Sequence, residues 1–523
     1  MLACVRTAAV YGVEACPVHV EVDVSFGMPQ FAMVGLPDAS VRESRDRVRS
    51  AIRNSGFPFP EHRVTVNLAP ADVRKAGSAF DLPIALGILA AQGIVERRHI
   101  ADLVLLGELS LDGSIHAARG VLPIAVAARR DGLAGLLLPV ANAREAAIVS
   151  GLDVFAVASL AEAVRALNDP STVAAAPLSL PPARLPTVAD LADVRGQLLA
   201  RRALEVASAG GHNLLLVGPP GAGKTMMARR IPGILPVLTF DEALEATAVH
   251  SVAGLLPTGA GLLVDRPFRA PHHTISDVAL IGGGSQPRPG EVSLAHHGVL
   301  FLDEMLEFNR HVLEVLRQPL EEGQVTIARA ARTASFPARF MLIGAMNPCP
   351  CGYLADPMRE CRCTPLQIAR YRGRLSGPLR DRMDLTVEVP SLRPGELTSG
   401  RAEPTPDGAT APSPGGRRSA PIWGESSAAV RTRVVAARDR QRERYASDRI
   451  RTNAELTALL MARHCALDAR AARVLDTATT RMALSARAYD RVRKVARTVA
   501  DLAGADEVEA DHVSEALQFR MLE

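Results

Sequence analysis

The chain has 523 residues, 48% hydrophobic and 22% charged, with a formal net charge of +4. This length exceeds what a single core organises and predicts about three domains at roughly 150 residues each. No apolar run reaches the ~18 residues of a membrane span, no basic-then-apolar leader opens the sequence, and +4 over this size is too weak to argue for nucleic acid. The expectation is a soluble cytoplasmic protein.

Residues 1–170 alternate strand-like runs at 18–24 and 64–68 with helical patterns at 39–54, 82–92 and 123–131, as an α/β or α+β domain does. Asp38 is placed to cap the arginine-rich helix that follows it, whose charged face reads as solvated. Residues 171–189, rich in proline and alanine, form a first linker.

A second domain spans residues 190–392. The apolar run 213–217 enters Gly218-Pro219-Pro220-Gly221-Ala222-Gly223-Lys224-Thr225, a phosphate cradle. A strand, a glycine-rich turn whose peptide N–H groups face one anion, and a helix starting near Lys224 bind a triphosphate. Lys224 reaches the terminal phosphates and the Thr225 hydroxyl takes a place on Mg²⁺. Downstream, residues 299–302 form an apolar strand ending in Asp303 and Glu304. Nucleotide hydrolysis uses such a pair, Asp303 holding Mg²⁺ and Glu304 orienting the attacking water as general base. Another strand, 340–346, ends in Asn347, which is in place to bond the γ-phosphate or that water. The adjacent His272 and His273 lack acidic or thiol neighbours at ligand spacing and read as loop residues.

Seven cysteines occur, four of them between 349 and 363. Cys349 and Cys351, then Cys361 and Cys363 after nine residues, form two close thiolate pairs that can close a tetrahedral structural zinc site. Reduced, unliganded thiols and an iron–sulfur centre stay open as alternatives. Cys4, Cys16 and Cys465 read as small core residues. Residues 374–385 carry Arg380 and Arg382 past the last core strands. There an arginine either stabilises charge on a neighbour's γ-phosphate or makes a surface salt bridge.

Residues 393–427 form a second linker with a disordered composition. Residues 428–523 read as helical throughout. The first of these helices carries eight arginines between 431 and 451, either a face for a phosphate backbone or an ordinary exposed helix. Arg487, in the first turn of a later helix, opposes the helix dipole and so points to an anion.

From Leu191 to Leu385 the chain resembles the magnesium-chelatase-like AAA+ ATPases. The front-domain peptides Val-Gly-Leu-Pro-Asp (34–38), Asn-Leu-Ala-Pro-Ala-Asp (67–72) and Phe-Asp-Leu-Pro (80–83) look like the ComM/YifB branch. The resemblance implies an AAA+ P-loop NTPase core with a C-terminal helical lid and ATP with Mg²⁺ as cofactors. Gly218 to Thr225 would be Walker A, Asp303 and Glu304 Walker B, Asn347 sensor 1, Arg382 the arginine finger and Arg487 sensor 2. It further implies a hexameric ring moving single-stranded, forked or branched DNA, as branch-migration helicases do in recombination and transformation; a chelatase motor subunit is the alternative. The N-terminal domain resembles the Lon-protease fold, with residues 107–113 similar to a Lon strand and turn. A Ser-Lys dyad needs a lysine after that turn, where this chain has Arg119, Leu122 and Pro123. Ser78 has no evident base, so the reading is a non-proteolytic platform.

Overall fold

The computed structural model describes residues 1–71, 75, 77–173, 175–177, 188–257, 259–284, 287–328, 333–391 and 424–520. Most of both expected linkers, Asp72 of the second ComM/YifB-like peptide, and residues 329–332, with Arg329 and Arg332, lie outside the described residues.

The first part is a seven-stranded mixed sheet built from β1 (Leu2–Tyr11), β2 (Glu14–Ser25), β3 (Gln30–Val34), β4 (Arg63–Ala69), β5 (Leu103–Leu105), β6 (Gly135–Pro139) and β7 (Asp153–Val157). The order across it is β3-β4-β2-β1-β5-β6-β7. Strands β1, β2 and β4 pair antiparallel, whereas β5, β6 and β7 run parallel. Alternation in β1 and β2 buries Val5, Val18, Val20 and Val22 on one face, as a half-covered sheet requires. The same alternation turns Cys4 outward, so the expectation of a core cysteine fails there; Cys465 is buried. Helix Asp81–Ala91 is buried along its whole length. Gly87 lets it lie against the sheet, since a Cβ there would stand 2.7 Å from Val22 Cγ2. Asp38 caps helix Ala39–Asn54 by accepting from the Val41 N–H at 2.9 Å, as its position predicted.

The second sheet is entirely parallel. It comprises β8 (Leu214–Val217), β9 (Phe268–Arg269), β10 (Val299–Leu302), β11 (Met341–Met346) and β12 (Leu385–Glu388), in the order β9-β10-β11-β8-β12. Strands β8, β10 and β11 are buried throughout, which explains why they read as continuous apolar runs. Each fully buried Leu or Val contributes about 2 kcal/mol. Residues 374–385 do not lie past the last core strands: Leu385 opens β12, and Asp384 and Leu385 both donate to the Asn213 carbonyl before β8. A four-residue edge strand, with one interior polar residue, carries too little periodicity to read from sequence.

Beyond residue 424 the described chain is helical, and its apolar faces continue the core of the sheet, with Val430, Val434, Val495 and Val499 packed among Leu214, Leu216 and Ile343. The arginines of helix Ser427–Arg444 are largely committed to the protein. Arg433 pairs with Glu205 and Glu425, Arg438 donates to the Ser208 carbonyl, and Arg444 pairs with Asp501. A free phosphate-tracking face is therefore not what this helix presents. Ser427 closes the chain on itself: its N–H donates to Asp190 Oδ1 at 2.7 Å and its hydroxyl accepts from the Leu191 N–H at 2.7 Å. Arg230 then ties Asp190 to the helix after the cradle, donating to the Asp190 and Met226 carbonyls.

The C-terminal helical region is organised around one buried carboxylate. Asp501 accepts from Arg444 Nη1 at 3.0 Å, Arg497 Nη2 at 2.9 Å and Asn453 Nδ2 at 2.8 Å. Removing it leaves two guanidiniums unmatched, one of them buried, so Asp501→Ala is expected to destabilise the chain by about 3–5 kcal/mol. Chemical denaturation compared with a surface control such as Asp439→Ala measures this, and a loss under 1 kcal/mol contradicts it.

Candidate active site

In a parallel sheet, loops that bind ligands gather at the carboxyl ends of the strands. Gly218 follows β8, Asp303 follows β10 and Asn347 follows β11, so three peptides remote in sequence meet at one edge. Gly221 and Gly223 adopt φ of +80° and +91°, conformations that a side chain resists. A Cβ on Gly218 would fall 2.1 Å from the Val389 carbonyl oxygen, so glycine is needed there for a close backbone approach. The expected helix does start at Lys224 but ends at Ala228. One short turn has little dipole, so the peptide N–H groups and Lys224 would be the main elements facing an anion there.

Lys224 is 8% exposed. Its ammonium donates to the carbonyls of Gly218 at 2.7 Å and Pro219 at 2.9 Å, and to Asn347 Oδ1 at 3.2 Å. Burial pushes its pKa down to about 8, against the opposing pull of Asp303 and Glu304. Relative to the ordinary value of 10.5, keeping this buried cation costs about 3 kcal/mol, a cost that phosphate charge would relieve. Thr225 Oγ1 donates to Asp303 Oδ2 at 2.7 Å, and Asp303 Oδ1 accepts the Glu304 N–H at 3.0 Å. Hydroxyl and carboxylate are hard oxygen donors that fit Mg²⁺; Thr225 and Asp303 would hold it, and the ion would neutralise phosphate charge.

Glu304 has φ +49°, a left-handed backbone rare for such a residue, and its side chain is 60% exposed. His273 Nδ1 lies 3.7 Å from Glu304 Oε2, and the His272 ring packs on His273 at 4.1 Å between centroids. The loop reading of these histidines missed this contact. The signal was available only in topology: His273 follows β9, and β9 pairs with β10 directly before Glu304.

Arg382 and Arg487 are not at this edge. Arg382 follows helix Gly377–Arg380 and its carbonyl accepts from Asn213 Nδ2, which places it at the amino end of β8. There it lines a cavity of about 590 Å³ together with Arg487, Arg491 and Lys494. Arg382 pairs with Glu321, and its Nε is buried without a partner. Burial first, then Arg317, Arg487 and Arg491, lower its pKa. Arg487 lies 3.7 Å from Asp381. Arg380 is exposed.

The sulfurs of Cys349, Cys351, Cys361 and Cys363 all lie within 4.8 Å of one another. Glu245, His296 and His297 meet the same test, but chemistry separates the two groups. His296 Nδ1 accepts the Arg339 N–H at 3.0 Å, so Nε2 carries the proton and donates to Glu245 at 3.1 Å. A protonated nitrogen has no lone pair for a metal. The Arg451 guanidinium, 3.3 Å from His297 Nε2, supplies positive charge here, and its pairs with Glu242 and Glu245 tie helix Phe240–Ala253 to the C-terminal helical region.

Three family models match in succession: a subunit ChlI of Mg-chelatase at residues 20–142, magnesium chelatase subunit ChlI at 190–397, and the ChlI C-terminal model at 424–520. Competence protein ComM of Haemophilus influenzae is 43% identical over 528 residues, covering 100% of this chain and 98% of its own. The chain belongs to the magnesium-chelatase-like ComM/YifB family. YifB of Escherichia coli is 41% identical over 528 residues, covering 100% of this chain and 97% of its own. The chloroplast magnesium-chelatase subunit ChlI-2 of Arabidopsis thaliana is 24% identical over 206 residues, 35% of this chain and 44% of its own. The α/β architecture, parallel-sheet core and helical C-terminal region fit this AAA+ family, whose membership carries an expectation of ATPase activity with ATP and Mg²⁺. No helix among the described residues is long and apolar enough to cross a membrane.

Because Lys224 sheds its proton near pH 8 when the site is empty, phosphate binding above that pH must take a proton up. A lysine with a lowered folded pKa makes stability rise from about pH 8 to 10.5, while affinity for ATP falls by up to about tenfold per unit above 8. Titrating a non-hydrolysable ATP analogue from pH 7 to 9.5 checks this; Lys224→Ala should bind weakly and without the slope.

Proposed function

We propose that this chain is an ATP-hydrolysing motor that assembles as a ring, a hexamer, and moves branched DNA as a ComM-like branch-migration helicase. The observation that carries the shared-site reading is the placement of Lys224 and Arg382 at opposite ends of β8. One copy carries the cradle at one edge and, at the other, a cavity where Arg382, Arg487, Arg491 and Lys494 are only partly compensated by Glu321 and Asp384. Stacking copies edge to edge would bring Arg382 and Arg487 of one against the phosphates of the next, where they stabilise transition-state charge. Arg382 is our choice of finger over the exposed Arg380.

Within one copy, the contacts support these roles: the Gly218–Thr225 backbone and Lys224 would bind the phosphates, Thr225 and Asp303 would hold Mg²⁺, Glu304 would take a proton from the attacking water, and Asn347 would orient that water or the γ-phosphate. His273, 3.7 Å from the exposed Glu304 carboxylate, would help to orient it. The DNA reading is supported by full-length identity to a competence protein, and the match to the plant chelatase subunit, confined to 35% of the chain, favours it over metal insertion into a porphyrin. The front domain is read as a Lon-like platform without proteolysis, although the fold gives Ser78 an acceptor, the Glu108 carboxylate, that the sequence did not reveal.

Glu304→Gln is expected to bind ATP with affinity near wild type and to lose about 10²–10⁴ in turnover; near-normal hydrolysis would remove Glu304 from its role. His273→Ala should lower kcat by less, with Km for ATP unchanged. A matching fall in nucleotide affinity would make His273 merely structural. ATPase and strand displacement on forked, Holliday-junction and single-stranded DNA test the substrate. Failure of all three to bind at low salt sinks the DNA reading, and stimulation by a porphyrin with a large partner subunit restores the chelatase one.

A further inference from the structure

We propose that Cys349, Cys351, Cys361 and Cys363 bind one Zn²⁺ as a closed structural site, and that this ion clamps the turn on which Asn347 and the phosphate cradle rest. The sulfur of Cys349 lies 3.3 Å from that of Cys351 and 3.7 Å from that of Cys361, and those of Cys351 and Cys361 are 3.6 Å apart. Four sulfurs bound to one zinc at ~2.3 Å on the corners of a tetrahedron stand ~3.8 Å from each other. A disulfide would need ~2.05 Å, and an iron–sulfur cluster would need space for several iron and sulfide ions inside the shell. The sulfur separations therefore select a single tetrahedral ion.

The surrounding chain is built the same way. The Cys351 N–H donates to Cys363 Sγ at 3.4 Å, so the backbone of one cysteine pair holds a sulfur of the other. Residues 355 and 357–360 of the intervening loop are exposed, so the loop has almost no core of its own, the situation in which small structures are stapled by metal. Thr364 and Gln367 cap helix Pro365–Arg372 directly after Cys363, and Arg372 Nε returns to the Pro348 carbonyl at 3.1 Å, which anchors both ends of the loop. With four protein sulfurs, no position stays open for substrate, so the ion would be structural.

Its reach to the cradle is short. Gly352 donates its N–H to the Cys349 carbonyl at 3.0 Å with φ +85°. A Cβ there would stand 2.6 Å from Pro220 Cδ and 3.9 Å from Asn347 Cγ. The cysteine turn thus lies against the cradle, two residues after the Asn347 that accepts from Lys224. This second part of the inference rests on the nucleotide-binding reading; the first does not.

Metal content of the purified full-length chain decides the site. We expect one zinc per chain, a tetrathiolate visible spectrum on exchange with Co²⁺, and loss of both in the Cys361→Ser/Cys363→Ser double variant, with Cys465→Ser as a control that keeps them. No zinc together with no uptake of added Zn²⁺ or Co²⁺ overturns the site, and iron with acid-labile sulfide overturns zinc. For the clamp, stripping zinc from the wild type with a chelator should weaken binding of a non-hydrolysable ATP analogue about tenfold, restored by added Zn²⁺. Unchanged affinity after stripping overturns the clamp while leaving the site. Because stripping and re-addition use the wild-type chain, a double variant that fails to fold does not obscure either result. A wild type that carries zinc but binds no nucleotide would instead defeat the ATPase reading alone.

Discussion

The ammonium of Lys224 is buried beside two carboxylates and accepted by two backbone carbonyls and the Asn347 amide. A cation in that position is tolerated only while something holds those acceptors still, and here the holder is a parallel sheet whose central strands are apolar on both faces. The cost of keeping the charge is carried by the empty site and relieved by an anion. Under the nucleotide-binding reading, a highly charged phosphate would relieve more of that cost than a neutral or singly charged ligand. The rest of the carboxyl edge extends the same logic: Thr225 and Asp303 already share a proton bond where a divalent cation would sit, and Glu304 projects outward in a backbone conformation that separates it from Asp303.

The opposite edge of the sheet has the reverse problem. Arg382, Arg487, Arg491 and Lys494 crowd a cavity, with Glu321 and Asp384 as partial compensation. Like charges collected in a partly dry space are unfavourable unless an anion is shared among them. The two edges are therefore complementary in charge, one with a surplus of cations and the other shaped around phosphate. That complementarity, more than any single residue, is the physical basis for reading the site as one completed between copies.

What could be read from sequence follows from how local each signal is. The cradle and the Asp-Glu pair were legible because glycine spacing and a strand ending in carboxylates report on a few adjacent residues, and continuous apolar runs report burial on both faces. The helix boundaries at 39–54 emerged as written, since caps such as Asp38 are local too. Three things were not legible. Arg382 and Lys224 belong to opposite ends of β8, a fact set by which strand pairs with which. His273 reaches Glu304 only because β9 lies next to β10. The arginines of helix Ser427–Arg444 looked like a surface, yet Glu205, the Ser208 carbonyl and Asp501, from 57 to 230 residues away in sequence, claim them. In each case the missing information was tertiary pairing.

Asp190 and Ser427 are 237 positions apart yet directly bonded, so the segment arriving from the front domain and the one arriving at the C-terminal helical region enter the fold at a single point. From there Arg230 bonds the Asp190 and Met226 carbonyls, and Met226 stands on the turn of helix that begins at Lys224. Asp190, Ser427 and Arg230 thus join the starts of the ATPase-like and helical parts, by direct hydrogen bonds, to the helix that follows the cradle.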